Sequence, residues 1–376
     1  MLRRSVVDSH ASVADVAACR ATLRGGSRTF FAASLALPTG VRKPATALYA
    51  FCRMADDAID QGADRDAALA DLHTRLERIY GGAPQGAPAD RAFADAVVRF
   101  GIPKQFPLAL LEGFEWDARG RRYASLAELR AYAMRVAGTV GAMMALVMNV
   151  RERHLLARAC DLGVAMQLTN IARDVGEDAR NARVYLPLEW LHAAKVDPEA
   201  LLARPAFTPA LGSVIERLLA EARALYERSD PGIANLPSAC RPGMYAARLL
   251  YAEIGNEVAR RGFDSVSQRA VVPWQRKARI LADAARAAQR RPPRVVARDE
   301  LAESAFLLDS FSPAAPPAPV TIAAATSTAE TPRERARWPR VEDRVIWLVD
   351  LFERLERRDR AGAGSDTLEV SQEPVS

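Results

Sequence analysis

Apolar residues recur at helical spacing along most of the chain, from about residue 11 to residue 288. This periodicity predicts amphipathic helices, and clear examples span 67–80, 125–150, 156–178, 211–228 and 245–261. Ser125 followed by Glu128 is a capping-box pattern at the start of one helix. Strand-like alternation of Val, Ile and Thr is nearly absent, so the pattern predicts an all-α fold.

The pattern changes after about residue 290. Residues 312–332 are rich in Pro, Ala and Thr, which predicts a flexible linker. Beyond it, apolar residues at helical spacing predict an isolated amphipathic helix over 341–357, flanked by arginines. We therefore expect a helical domain at 1–290 and a C-terminal tail at 291–376, consisting of a low-complexity linker and this helix. The helix is suited to peripheral membrane contact, and a passive extension is the alternative.

Composition narrows the function classes. Hydrophobic residues make up 49% of the 376 residues, which is ample for a large core. The net charge of +6 is carried almost entirely by arginines that form no basic stripe with aromatic residues, so nucleic acid is not an expected partner. There is no signal-peptide pattern, and the longest apolar run, 136–148, is too short to span a bilayer. These features predict a cytoplasmic protein with at most peripheral membrane contact.

An acidic cluster, Asp56, Asp57 and Asp60, ends one apolar helical stretch. Asp56 and Asp60 are four positions apart, which places their carboxylates on one helix face about 6 Å apart along the axis. Tyr49 and Arg53 extend the same face.

A second cluster, Asp174, Glu177 and Asp178, lies on the helix predicted over 156–178. Asn170, Asp174 and Asp178 follow one another at intervals of four residues, so they share one face. Arg173 stands beside the first of these acids.

The residue types in both clusters favour a hard divalent cation. Carboxylates one turn apart repel each other by roughly 3 kcal/mol at 6 Å and an effective dielectric of 20, so a buried pair requires cations. Oxygen ligands without His or Cys indicate Mg²⁺, with Mn²⁺ as a substitute. Two such clusters facing each other could clamp a diphosphate and assist its departure. A solvated acidic helix face is the alternative, but the pairing of two clusters with Arg and Asn favours metal binding.

Two segments resemble motifs of the squalene/phytoene synthase family. Residues 53–60 (RMADDAID) resemble its first aspartate-rich motif, and residues 167–187 (QLTNIARDVGEDARNARVYLP) closely resemble its second. Residues 27–30 and 136–141, with Tyr132, Tyr251 and Arg269, match further family segments, so the resemblance covers about residues 20–285. Gly26 departs from it, because some members carry a polar side chain there.

The resemblance implies an isoprenoid-synthase helical bundle with a central active-site cavity, and makes the domain at 1–290 catalytic. The implied metal ligands are Asp56, Asp57, Asp60, Asn170, Asp174, Glu177 and Asp178. The implied catalytic residues are Asp56, Asp60, Asp174, Asp178 and Tyr251. The implied substrate-binding residues are Ser27, Arg28, Tyr49, Arg53, Tyr132, Gln167, Asn170, Arg173, Arg183, Tyr185 and Arg269. The alternatives remain that Arg53 and Arg173 only pair with neighbouring acids and that Tyr49 and Tyr132 are ordinary buried tyrosines.

The implied reaction is a head-to-head condensation of two prenyl diphosphates. Overall similarity to the phytoene branch favours two geranylgeranyl diphosphates, joined through a cyclopropyl diphosphate to 15-cis-phytoene without NADPH. Ser34, on one face with Phe30, leaves space for a C20 chain, although a small core-facing serine would look the same. The alternatives are a squalene or dehydrosqualene synthase using farnesyl diphosphate, a class I terpene cyclase, or a non-catalytic family member.

Overall fold

Helices form almost all of the regular structure. The computed structural model describes residues 6–61, 64–290, 299–311 and 321–323. The α-helices are α1 (Val13–Gly26), α2 (Arg28–Leu35), α3 (Thr39–Gln61), α4 (Arg65–Tyr80), α5 (Pro88–Phe100), α6 (Gln105–Ala118), α7 (Leu126–Ala133), α8 (Thr139–Val147), α9 (Arg153–Arg180), α10 (Leu188–Ala193), α11 (Pro198–Ala203), α12 (Pro209–Ala234), α13 (Arg241–Arg260), α14 (Trp274–Ala288) and α15 (Ala305–Leu308).

The all-α prediction is confirmed, with one small addition. Strands β1 (Val6–Asp8) and β2 (Thr321–Ala323) pair in parallel, so three residues of the predicted linker form a strand. The remainder of the predicted linker at 312–332 and the helix predicted at 341–357 lie outside the described residues. Within the part of the chain that the structure describes, no helix is both long and apolar enough to cross a membrane.

The 28-residue helix α9 lies at the centre of the bundle. It packs mainly against α12, α8 and α13, and its residues Leu156 and Leu168 are fully buried. Gly163 allows α9 to pack closely against residues 134–138, because a Cβ at this position would lie 2.2 Å from the Ala137 carbonyl oxygen. The second acidic cluster is therefore held on a helix that is packed firmly against α8, α12 and α13.

The predicted continuous helix over 125–150 is interrupted. Between α7 and α8, residues Met134–Gly138 form one turn of π-helix. The Ser125 hydroxyl caps α7 by accepting the Glu128 backbone N–H, which is half of the predicted capping box. The Glu128 carboxylate accepts the Ala124 N–H rather than the Ser125 N–H. The π turn adds one residue to the helical repeat, which the spacing of apolar residues does not reveal. Val136 of this turn lines both cavities described below.

Residues 299–311, called here the C-terminal segment, pack on the bundle. The segment contains a 3₁₀ turn (Ala302–Ser304) and α15, and it buries Leu307 and Leu308 completely. Arg153 of α9 donates to Glu300 at 2.8 Å and to Asp309 at 2.7 Å. The segment lies beyond the domain end predicted at residue 290.

Candidate active site

A polar cavity of about 660 Å³ opens between α3, α6, α9 and α13. Residues predicted as site residues supply much of its wall. Those that line it are Ser27, Tyr49, Arg53, Asp56, Tyr132, Gln167, Asn170, Arg173, Tyr251 and Arg269.

The first acidic cluster lies on α3, with its carboxylates bound by an arginine. The Arg53 guanidinium donates to Asp56 Oδ2 at 3.2 Å and contacts Asp57 Oδ1 at 2.6 Å. Asp56 faces the cavity, whereas Asp57 is not among its lining residues. Asp60 lies in the last turn of α3, and its side chain is outside what the structure describes.

The second acidic cluster lies near the end of α9, and two arginines converge on it. Arg173 Nε donates to Asp174 Oδ1 at 2.7 Å, and Arg269 Nε donates to the same oxygen at 2.9 Å. Arg269 also lies 3.6 Å from Glu177 Oε2. Asp178 is one turn further along; burial, followed by the charge of Asp174, raises its carboxyl pKa to about 8. The fold therefore concentrates negative charge here and offsets it with guanidinium groups.

Asn170 provides a direct test of whether this site suits a cation. Its Oδ1 atom is buried at the cavity wall and has no hydrogen-bond partner among the described residues. An orphaned buried carbonyl oxygen is costly unless a ligand, water or cation satisfies it. The amide oxygen and the nearby carboxylates are the hard donors that Mg²⁺ prefers, so the donor set fits a divalent cation.

The ligands are not arranged as a ready-made site. Across residues 6–61, 64–290, 299–311 and 321–323, no three Asp, Glu, His or Cys side chains come together around one point. The carboxylates of Asp56 and Asp174 instead face arginines. Arg53 and Arg173 therefore pair with neighbouring acids and also line the polar cavity.

An aromatic group closes one side of the cavity. Phe30 stacks on Tyr251 with ring centroids 5.1 Å apart and meets Tyr49 edge-on at 6.1 Å. Burial raises the pKa of the Tyr251 hydroxyl to about 12. Gly26 makes this arrangement possible, because a Cβ there would lie 2.5 Å from Tyr49 Oη.

A second, apolar cavity of about 290 Å³ adjoins the polar one. Its wall includes Leu48, Val140 and Met144, and Val136 and Tyr251 line both cavities. Ser34 also lines it, but its hydroxyl donates to the Phe31 carbonyl oxygen at 2.7 Å, which leaves little polarity toward the cavity. The pair of cavities suits a ligand with an anionic head and a long hydrocarbon tail.

Some residues predicted for the site are not among those that line the polar cavity: Asp57, Asp174, Glu177, Asp178, Arg183 and Tyr185. Asp178, Arg183 and Tyr185 line a separate cavity of about 10 Å³ beside α9. Ser27, by contrast, lines the polar cavity and is the N-cap of α2, where its hydroxyl accepts the Phe30 N–H at 3.2 Å. Arg28 begins α2, and its side chain is outside the described part of the structure.

Asp117, which lies near the end of α6 at the cavity wall, was not predicted from the sequence. Its Oδ2 accepts the Tyr132 hydroxyl at 2.7 Å, and its Oδ1 accepts the Tyr185 hydroxyl at 2.8 Å. Asp117 belongs to neither acidic cluster and has no companion acid at helical spacing on the same face. No sequence pattern around Asp117 indicates a role in the site, and only the folding of the chain brings it to the cavity wall.

A helical bundle around a polar and an apolar cavity, with two acidic clusters and facing arginines, defines an isoprenoid-synthase type of protein. Residues 23–278 match the squalene/phytoene synthase family. The chain belongs to this family, which confirms the prediction of an enzyme of the prenyltransferase type.

Relatives and solved structures agree with this assignment. A phytoene synthase of Cereibacter sphaeroides is 52% identical over 70% of this chain and 77% of its own length. One from Rhodobacter capsulatus is 50% identical over 79% of this chain and 90% of its own length. A dehydrosqualene synthase crystal structure is similar with a TM-score of 0.66 and 29% identity, covering 73% of this chain and 96% of the other.

Proposed function

We propose that the chain is a 15-cis-phytoene synthase that joins two geranylgeranyl diphosphates head to head. The observation that carries this proposal is the pair of adjoining cavities. Asp56 and the guanidinium groups of Arg53, Arg173 and Arg269 line one, and an apolar wall lines the other. The two relatives at about 50% identity that are named phytoene synthases support C20 over C15 substrates.

Divalent metal ions, Mg²⁺ or Mn²⁺, would be held by Asp56, Asp60, Asn170, Asp174 and Asp178, with Asp57 and Glu177 alongside. When bound, the metal supplies positive charge that stabilises the departing diphosphate. Arg53, Arg173 and Arg269 already lie at this end of the cavity, so they can transfer from the carboxylates to the diphosphate oxygens.

The remaining chemistry takes place on the hydrocarbon. Loss of diphosphate from one substrate leaves an allylic cation, the double bond of the second attacks it, and loss of a proton closes a cyclopropane ring. Loss of the second diphosphate and a second proton gives phytoene, so no hydride donor is needed. The apolar wall around Val140 and Met144 excludes water, which would otherwise capture the cations as alcohols.

The test is to incubate purified protein with geranylgeranyl diphosphate and Mg²⁺, without NADPH, and to identify the products. A C40 hydrocarbon is expected. Asp56→Asn and Asp174→Asn remove charge at constant volume, so turnover should fall by about a hundredfold or more while the melting temperature stays within a few degrees. Wild-type turnover in both variants would contradict the assignment of the acidic clusters.

We also propose that the C-terminal tail brings the protein to membranes, where substrate and product are dissolved. The support is the sequence of 341–357, in which an apolar face is bordered by arginines. Flotation with anionic lipid vesicles should be strong for the full chain and weak for a chain ending at residue 311. Equal flotation of the two chains would remove this role.

A further inference from the structure

Three tyrosines and one carboxylate form a compact cluster beside the polar cavity. Tyr132 and Tyr185 stack with ring centroids 5.3 Å apart, and Tyr123 lies 5.1 Å from Tyr132. Asp117 binds the hydroxyls of Tyr132 and Tyr185, one on each carboxylate oxygen. Asp117 and Tyr132 both line the cavity, so the cluster forms part of its wall.

The direction of these hydrogen bonds is fixed by chemistry. An ionised carboxylate only accepts hydrogen bonds, so each phenol must donate its single hydrogen to Asp117. A phenol is protonated at neutral pH, and burial, reinforced by the charge of Asp117, raises the pKa of Tyr132 still further above its ordinary value. The same causes raise the pKa of Tyr185.

A tyrosine held in this way cannot behave as an anion-binding group. A free phenol would turn its O–H toward a diphosphate oxygen, but the hydrogen of Tyr132 is already committed to the carboxylate. Its oxygen can then offer only lone pairs to whatever else approaches it. Lone pairs directed at a cation stabilise its positive charge, especially where water is excluded.

We propose that Asp117 is a positioning residue that orients the hydroxyls of Tyr132 and Tyr185 so that this wall favours an allylic cation over an anion. The inference rests on the proposed function, because the cation is the one formed when an allylic diphosphate departs. The two parts of the cavity then have different roles. The arginines and acidic clusters bind the diphosphate, and the Asp117 cluster stabilises the hydrocarbon cation.

The test compares the binding of two C20 probes by calorimetry. One is N,N-dimethylgeranylgeranylamine, a cation at neutral pH, and the other is the neutral alcohol geranylgeraniol. Asp117→Asn should weaken ammonium binding about tenfold, the scale of one charge-assisted hydrogen bond, and change alcohol binding by less than about twofold. Glu115→Gln is the matched control, since it removes a charge from the same helix outside the cavity lining and should alter neither affinity.

A double-mutant cycle separates orientation of the tyrosines from a direct effect of Asp117. In a Tyr132→Phe, Tyr185→Phe background, Asp117→Asn should cause less than about a twofold further loss of ammonium binding. Turnover of Asp117→Asn should fall in kcat while KM for the diphosphate changes little. If Asp117→Asn does not fold, Tyr132→Phe alone must show the same selective loss.

Three results would overturn the role of Asp117: equal weakening of both probes, no weakening of either, or a full further loss in the double Phe background. Binding is measured without turnover, so these outcomes do not depend on which product the enzyme makes. Failure to form a C40 hydrocarbon would instead contradict the proposed function and leave the binding result standing.

Discussion

The C-terminal segment offers a quantitative test of where the folded domain ends. Leu307 is fully buried against the bundle, so Leu307→Ala removes methyl groups from a packed core. Large-to-small changes of this kind lower the free energy of unfolding by about 2–5 kcal/mol. A terminal segment can detach while the rest of the domain stays folded, so the loss cannot exceed the free energy with which the segment docks. We expect Leu307→Ala to lower the free energy of unfolding by about 2 kcal/mol, toward the low end of that range.

The matched control is Phe306→Ala on the same segment. The Phe306 ring is 41% exposed and lies under the Arg135 guanidinium at 4.6 Å, so its removal should cost less than about 1 kcal/mol. Urea unfolding gives the free energy of unfolding of both variants, provided that the m-value, its dependence on urea concentration, is the same for both. Equal stability of the two variants would refute the idea that the segment belongs to the core.

Truncation provides a second test of the domain end. A chain ending at residue 311 should lose only the three-residue pairing of β1 with β2 and stay close to the full chain in stability. One ending at residue 290 should be clearly less stable, because it also loses the contacts of Arg153 with Glu300 and Asp309. That outcome would place the end of the catalytic domain at 311 rather than at the sequence-predicted 290. Equal stability of the two shorter chains would favour 290.

Three further substitutions test the aromatic wall, the apolar cavity and a buried ion pair. Gly26→Ser should displace the Tyr49 hydroxyl, since even a Cβ would lie 2.5 Å from it, and should lower turnover about tenfold or more with an unchanged melting temperature. Ser34→Phe should fill part of the apolar cavity and shift the ratio of kcat/KM values from geranylgeranyl toward farnesyl diphosphate; an unchanged ratio would remove Ser34 from chain-length selection. The Arg91 guanidinium holds the pKa of Asp15 below its usual 3.8, so this pair stabilises the fold above that pH and less as pH falls through the lowered pKa. Asp15→Asn should therefore cost about 3 kcal/mol at pH 7 and clearly less at pH 3; a loss independent of pH would contradict the pairing.

Helical periodicity and two local motifs predicted the bundle and the helices that carry the acidic clusters. The second acidic cluster falls within α9, because residues spaced by four positions favour one helix. The π turn at 134–138 was not predicted, since one extra residue in a repeat leaves hydrophobic spacing almost unchanged.

Tertiary contacts account for the other features that the sequence did not predict. Asp117 meets Tyr185 across 68 positions of sequence, and the C-terminal segment reaches Arg153 from about 150 residues away. Neither partnership has a local signature. The arginines that face Asp174 were predicted as diphosphate ligands. The pairing of Arg173 with a neighbouring acid was the alternative left open, whereas the contact of Arg269 with Asp174 became visible only in the folded chain.

The most direct test of the proposed function is one product analysis from an equimolar mixture of farnesyl and geranylgeranyl diphosphates with Mg²⁺ and no NADPH. Two geranylgeranyl groups should condense, so mass spectrometry should find 15-cis-phytoene as the main hydrocarbon. A C30 hydrocarbon as the main product would identify a dehydrosqualene-type enzyme, and a cyclic product from a single substrate would identify a terpene cyclase. Either result would contradict the assignment of a phytoene synthase.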